Sequence, residues 1–130
     1  ENIFVNKDVV INAIGNPNFI ILNSLTADIH EGQNPRYGRR GKIPSSKNIP
    51  FHELLDNKTG KFKPIEELAN MFEKNKITKD KQILNYCGGG IAASLEAFVL
   101  YQLGFEKIVI YDNSLHEWAA IDQTLPMENN

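Results

Sequence analysis

The sequence is poor in cysteine: Cys87 is the only one in 130 residues. A single thiol can form neither an internal disulfide nor an all-cysteine metal site. The thiol is therefore buried and inert, reactive, or linked to another molecule. Charge of one sign is also missing. Fourteen Lys and Arg stand against 16 Asp and Glu, giving a formal net charge of -2, and no global field draws the chain to nucleic acid or an anionic membrane. Long apolar runs are absent, since no stretch approaches the roughly eighteen residues of a membrane span, and no charged segment leads into an apolar one at the start. These absences predict a soluble, cytoplasmic chain with neither nucleic acid nor membrane as partner. Glu1 stands where a start methionine would, which suits a processed form or a piece of a longer protein.

The composition is 42% hydrophobic and 23% charged, ordinary for one globular domain spanning residues 1–130. A chain of this size buries about two-thirds of its unfolded surface, enough for a core without staples. Short apolar runs alternate with amphipathic segments, the rhythm of an α/β domain. Phe19 to Leu22, Gln82 to Tyr86 and Lys107 to Tyr111 read as buried strands, because β-branched and aromatic residues dominate them. Asn6 to Ile14 reads as a helix with Asn6 as its cap, Val9, Val10 and Ile14 facing a core, and Gly15 closing it. Pro64 opens a second helix with Ile65, Leu68, Met71 and Phe72 at helical spacing. A third runs from Ile91 to Leu103, with Leu95, Phe98, Val99 and Leu103 expected inside and Gly104 as the stop. Ser114-Leu115-His116-Glu117 has the form of a capping box and predicts a fourth helix carrying Trp118. Glu31 to Pro50 and Asp56 to Lys63 lack periodicity and read as long loops, which in compact domains tend to bind something or move.

The most informative stretch is Tyr86-Cys87-Gly88-Gly89-Gly90-Ile91-Ala92, between a predicted strand and a predicted helix. It places Cys87 at the carboxyl edge of the sheet, where open α/β folds bind ligands. Three glycines allow successive N–H groups to turn toward one point, and the helix that follows adds its N-terminal dipole. Together they suit a thiolate, or an anion carried on its sulfur. A core thiol has no need of three glycines. The phosphate-binding Gly-x-x-x-x-Gly-Lys-Ser/Thr pattern is absent, as is Gly-x-Gly-x-x-Gly. Cysteine phosphatases need an arginine six residues after the nucleophile, where this chain has Ala93.

A second constellation is the basic, glycine-punctuated segment from Asn34 to Pro44, with Arg36, Arg39, Arg40 and Lys42, followed by Lys47. It reads either as a solvated loop or as a clamp for a small carboxylate or sulfur oxyanion near Cys87. His30, His52 and His116 lack metal-ligand spacing and read as surface or helix-end residues.

With these residues in view, the chain resembles the rhodanese-like sulfurtransferase domain, especially the C-terminal catalytic domain of tandem thiosulfate and 3-mercaptopyruvate sulfurtransferases. The markers are Gly41-Lys42-Ile43-Pro44, Asn48-Ile49-Pro50-Phe51, Glu53-Leu54-Leu55-Asp56, Tyr86-Cys87-Gly88-Gly89-Gly90, and Tyr111-Asp112-Asn113-Ser114 with Glu117-Trp118. The resemblance implies a three-layer fold, a parallel sheet with helices on both faces. It also implies two-step sulfur transfer. Cys87 takes a sulfane sulfur from a small anionic donor, thiosulfate or 3-mercaptopyruvate, and the resulting persulfide passes it to a thiol, cyanide or a reduced, thioredoxin-like protein. Gly88, Gly89, Gly90, Ile91 and Ala92 would hold the terminal sulfur, Arg36 would contact the donor, and Lys42 is a further candidate. Neither metal nor organic cofactor is implied. The chain departs from the family pattern at Asn23 and Leu25, where Asp-x-Arg is usual. It departs again at Ile29, where mercaptopyruvate enzymes carry an arginine, and at Gly89 and Ala92, where Ser and Thr are common. These departures suit two other readings: a non-catalytic interaction module, or a protein-to-protein sulfur carrier.

Overall fold

A computed structural model describes residues 3–129. Its centre is a five-stranded sheet in the order β1-β5-β4-β2-β3, parallel at every pairing. The strands are β1 (Phe4–Val5), β2 (Phe19–Asn23), β3 (Lys47–Asn48), β4 (Gln82–Tyr86) and β5 (Ile108–Tyr111). The three expected strands are the three inner ones. β4 pairs with β2 from Phe19 opposite Gln82 to Asn23 opposite Tyr86, and with β5 on its other side. The edge strands β1 and β3 have two residues each, too few for an alternating pattern to show. β3 nevertheless corrects the reading of Glu31 to Pro50 as wholly irregular, as does an isolated antiparallel bridge between Lys42 and Glu128.

Helices cover both faces. On one side Ile20, Leu22, Ile83, Ile108 and Ile110 pack with Leu68 and Phe72 of α3 (Ile65–Lys74) and with Ala93, Ala97 and Leu100 of α4 (Ile91–Gln102). On the other, Ile21, Leu84, Tyr86 and Tyr111 pack with Val10 and Ala13 of α1 (Lys7–Ala13), with Ile29 of α2 (Ala27–His30), and with Trp118 and Ala119. Parallel strands buried on both faces read as continuous apolar runs, which is why their sequences lack alternation. No helix among the described residues is long and apolar enough to cross a membrane.

α1 follows its sequence signals closely. The Asn6 side chain accepts the N–H groups of Asp8 and Val9, and Gly15 leaves the helix at φ +72°. α4 does not follow its expected phase. Leu95 and Phe98 are exposed, at 44% and 56%, while Ala93, Glu96, Ala97 and Leu100 form the buried stripe together with Val99. Apolar residues occur all around this helix, so periodicity cannot set its rotation. The small Ala93 and Ala97 decide it, because they let the backbone approach the sheet. Ile65 also lies outside the core, 56% exposed at the start of α3.

The capping box at Ser114 is not formed. Ser114 has φ 53°, and the following segment, His116–Ile121, is a π-helix that carries the fully buried Trp118. A 3-10 turn at Phe51–Leu54 completes the described elements.

Candidate active site

Cys87 is the first residue beyond β4, at the carboxyl edge of a strand flanked on both sides, and it is 2% exposed. The loop turns at once into α4. The Gly90 N–H donates to Cys87 Sγ at 3.0 Å, so one N–H of the glycine run points at the sulfur. Gly90 has φ +98°, and a Cβ there would lie 2.6 Å from the Asp112 carbonyl oxygen. Only glycine satisfies both demands. Gly88 is fitted for another reason: a Cβ on it would sit 2.1 Å from the ring of Tyr37, which would have to move aside. Gly89 faces open space.

The loop is stitched to the segment after β5. The Cys87 N–H donates to Ser114 Oγ at 3.0 Å, and the Ser114 hydroxyl donates to the Tyr111 carbonyl at 2.7 Å. Leu115 N–H donates to the Cys87 carbonyl and His116 N–H to the Gly88 carbonyl, both at 2.9 Å. The left-handed conformation that removes Ser114 from helix capping therefore points its hydroxyl at the cysteine. The sequence hid this role because the same four residues spell a capping box.

Above the sulfur opens a pocket of about 380 Å³. Its floor is Cys87, Gly88, Gly89, Ile91 and Ala92, and its walls are Leu25, Tyr37, Phe51 and Leu95. Four of the five expected cradle residues thus line it, and the fifth, Gly90, contacts the sulfur directly. Leu25, Phe51, Tyr37 and Leu95 were not foreseen as site residues. Leu25 and Phe51 meet because the two chain segments pair beyond β2: Ile49 N–H donates to the Asn23 carbonyl, Phe51 N–H to Ser24, and the Asn48 amide to both Asn23 and Leu25.

The cations of the basic segment go elsewhere. Arg39 donates to the carbonyls of Leu125, Trp118, Asp122 and Ala119, holding the π-helix and the chain beyond it. Arg40 donates to Gly32 and Gln33, and Lys47 to Asn75 and Lys76. Lys42 pairs through its backbone with Glu128, and its charge acts on His30. Arg36 is exposed, with its guanidinium 5.4 Å from the centroid of the Tyr37 ring. It stands next to a pocket wall without being one of the lining residues.

Two buried groups, Glu96 and His30, are shifted from their ordinary titration. Glu96, on α4, is 0% exposed, and neither carboxyl oxygen has a hydrogen-bond partner. Burial drives its pKa well above the ordinary value. The nearby Ser24 hydroxyl offsets part of that rise without meeting hydrogen-bond geometry, and Cys87 and Glu53 add to it. Burial thus favours the neutral, protonated form of Glu96. His30 is not a surface residue, as the sequence suggested, but 7% exposed at the end of α2. Its Nδ1 accepts from the Asn23 amide at 3.0 Å, and burial lowers its pKa to about 4. His52 and His116 are exposed. No group of His, Cys, Asp and Glu able to hold a metal occurs among the described residues.

Comparison with known proteins agrees with this geometry. The model of the rhodanese-like domain matches residues 13–121. The chain belongs to the rhodanese-like family. It is 42% identical over 96 residues to thiosulfate/3-mercaptopyruvate sulfurtransferase 1, mitochondrial, of Arabidopsis thaliana, covering 73% of this chain and 25% of that protein. It is 35% identical over 99 residues to the 3-mercaptopyruvate sulfurtransferase of Escherichia coli K12, covering 75% and 34%. The sulfur carrier protein TtuD of Thermus thermophilus is 43% identical over 84 residues, 64% of this chain and 29% of that one. The rhodanese-like chain thus spans about a quarter to a third of the length of these relatives. Among solved structures, the anaerobic ergothioneine biosynthesis enzyme of Chlorobium limicola superposes with a TM-score of 0.87 over 98% of this chain and 32% of that one, at 18% identity. That likeness concerns the fold.

Proposed function

We propose that the domain is a sulfurtransferase in which Cys87 carries sulfur as a persulfide. The observation that supports this most directly is the Gly90 N–H aimed at Sγ from 3.0 Å at the floor of an open pocket. A donor held there would meet its nucleophile at a helix N-terminus, where negative charge on sulfur is stabilised. In the first half-reaction the Cys87 thiolate takes the outer sulfur of the donor. In the second, a thiol, cyanide or a reduced, thioredoxin-like protein removes it. Such covalent catalysis gives ping-pong kinetics. The names of the relatives bring thiosulfate and 3-mercaptopyruvate as the first donors to try, with Arg36, beside the Tyr37 ring that lines the pocket, as the leading donor contact and Lys42 as a further candidate. The test is intact-mass measurement after incubation with thiosulfate, 3-mercaptopyruvate and an organic persulfide. Addition of one sulfur to the chain, lost in Cys87→Ala, supports the reading; no adduct from any of the three, or an adduct that survives the substitution, refutes it.

A second reading is favoured by the burial of Cys87 and by an apolar pocket wall: a carrier that exchanges sulfur with other proteins. Loading from a partner's persulfide, with no turnover of thiosulfate or 3-mercaptopyruvate, would distinguish it.

A further inference from the structure

The pocket over Cys87 is unusual for a site that handles small oxyanions. Its walls are Leu25, Tyr37, Phe51 and Leu95, and no lysine, arginine or histidine lines it. The hydrogen bonds of Arg39, Arg40 and Lys47 to backbone carbonyls commit those cations to the fold. An oxyanion entering this space would shed water against Leu25, Leu95 and Phe51 without gaining a buried counter-charge, which is costly. The volume of about 380 Å³ also falls within the range of roughly 300–1,000 Å³ typical of pockets that enclose drug-sized organic molecules. A five-atom anion would leave most of it unfilled.

We propose that the preferred sulfur donor is an organic persulfide, R–S–SH, whose body R is uncharged and apolar, with R seated between Leu25, Phe51 and Leu95 and the sulfurs at the Gly90 N–H. This rests on Cys87 acting as the sulfur carrier. The step balances without an added redox reagent. Cys87 Sγ, as thiolate, attacks the outer sulfur; the Sγ–S bond forms as the donor's S–S bond breaks. The electron pair of that bond leaves on R–S⁻, and the outer sulfur keeps its hydrogen, so the products are Cys87–S–SH and a thiolate.

The experiment compares benzyl persulfide with 4-carboxybenzyl persulfide, which share one reacting S–S bond and differ by one charge on the body. Sulfur loading of the chain is followed by intact mass, and each rate constant is divided by that for the same donor with a small free thiol. The expected ratio favours the benzyl donor by at least about tenfold. Leu25→Arg should shrink that ratio by about tenfold or more and raise loading from thiosulfate, because it places a charge-assisted donor in the wall. A ratio of one or below in the unsubstituted chain, or thiosulfate or 3-mercaptopyruvate loading faster than the benzyl donor, overturns the donor class and leaves Cys87 as carrier intact. Absence of loading from every donor overturns both. The first comparison needs no substitution, so a folding defect in Leu25→Arg does not shield the proposal.

Discussion

Cys87 and Ser114, 27 positions apart, are joined by a buried hydrogen bond of 3.0 Å from the cysteine N–H to the serine hydroxyl, which in turn donates a hydrogen bond to the Tyr111 carbonyl. This bond fixes the backbone that presents the sulfur, and it exists because Ser114 adopts φ 53°. Removing the hydroxyl leaves a buried N–H without its acceptor. Ser114→Ala should therefore cost about 1–3 kcal/mol of stability in urea unfolding. Ser114→Gly loses the same bond but relieves the left-handed backbone, so it should cost less than Ser114→Ala. Equal stability of the alanine variant and the parent would show that the clasp contributes nothing.

The two glycines that follow Gly88 are predicted to behave oppositely. In Gly90→Ala a Cβ would meet the Asp112 carbonyl at 2.6 Å, at φ +98°. The backbone term alone costs roughly 1–2 kcal/mol, and any shift that relieves the clash moves the N–H away from Sγ. Both stability and the rate of sulfur loading should fall. Gly89→Ala meets nothing within 4 Å, and its stability should stay within about 0.5 kcal/mol of the parent. Thermal melts and loading rates of the two variants, measured side by side, separate a shaped loop from a merely flexible one.

The inner strands, the cap of α1 and the strand-to-helix placement of the glycine loop after Cys87 were legible because each is written locally: an apolar run between turns, Asn6 before a helix, three glycines after a cysteine. What was not legible depends on contacts remote in sequence. The rotation of α4 is set by how Ala93 and Ala97 seat on the sheet, and Leu95 thereby becomes a pocket wall rather than core. Ser114 carries a capping signal that a left-handed backbone overrides. Arg39 and Arg40 belong to a segment that read as either a solvated loop or an anion clamp, yet they serve as caps for carbonyls of distant and neighbouring segments. A basic loop in sequence reports charge and says nothing of which backbone oxygens will claim it.

Glu96 should make stability depend on pH in the direction opposite to an ordinary carboxylate. Its native pKa lies well above the unfolded value of 4.5, so the native state retains a proton that the unfolded chain releases. Its contribution is fully present below pH 4.5 and is lost progressively as pH rises toward the native pKa. Glu96→Gln keeps the shape without the titration. The variant should gain stability relative to the parent as pH rises from 5 to 8, measured by urea midpoints across that range. A parallel pair of curves would mean that Glu96 is ionised or solvated in the native state.

His30 should act on the acid side. Burial is the main cause of its pKa of about 4, with the Lys42 charge adding to the shift and Glu128 opposing it. The unfolded imidazole titrates near 6.5, so above that pH neither state is protonated and the neutral ring rests on the Asn23 amide. As pH falls below 6.5 the unfolded chain binds a proton that the native site refuses. The native state then loses on the order of 3 kcal/mol by pH 4, from 1.36 kcal/mol for each unit between the two pKa values. His30→Gln should remove most of this slope between pH 6.5 and 4 while leaving the Glu96-linked slope at higher pH in place. Double substitution of His30 and Glu96 should leave a curve flatter than either single variant, since α2 and α4, which carry them, pack on opposite faces of the sheet.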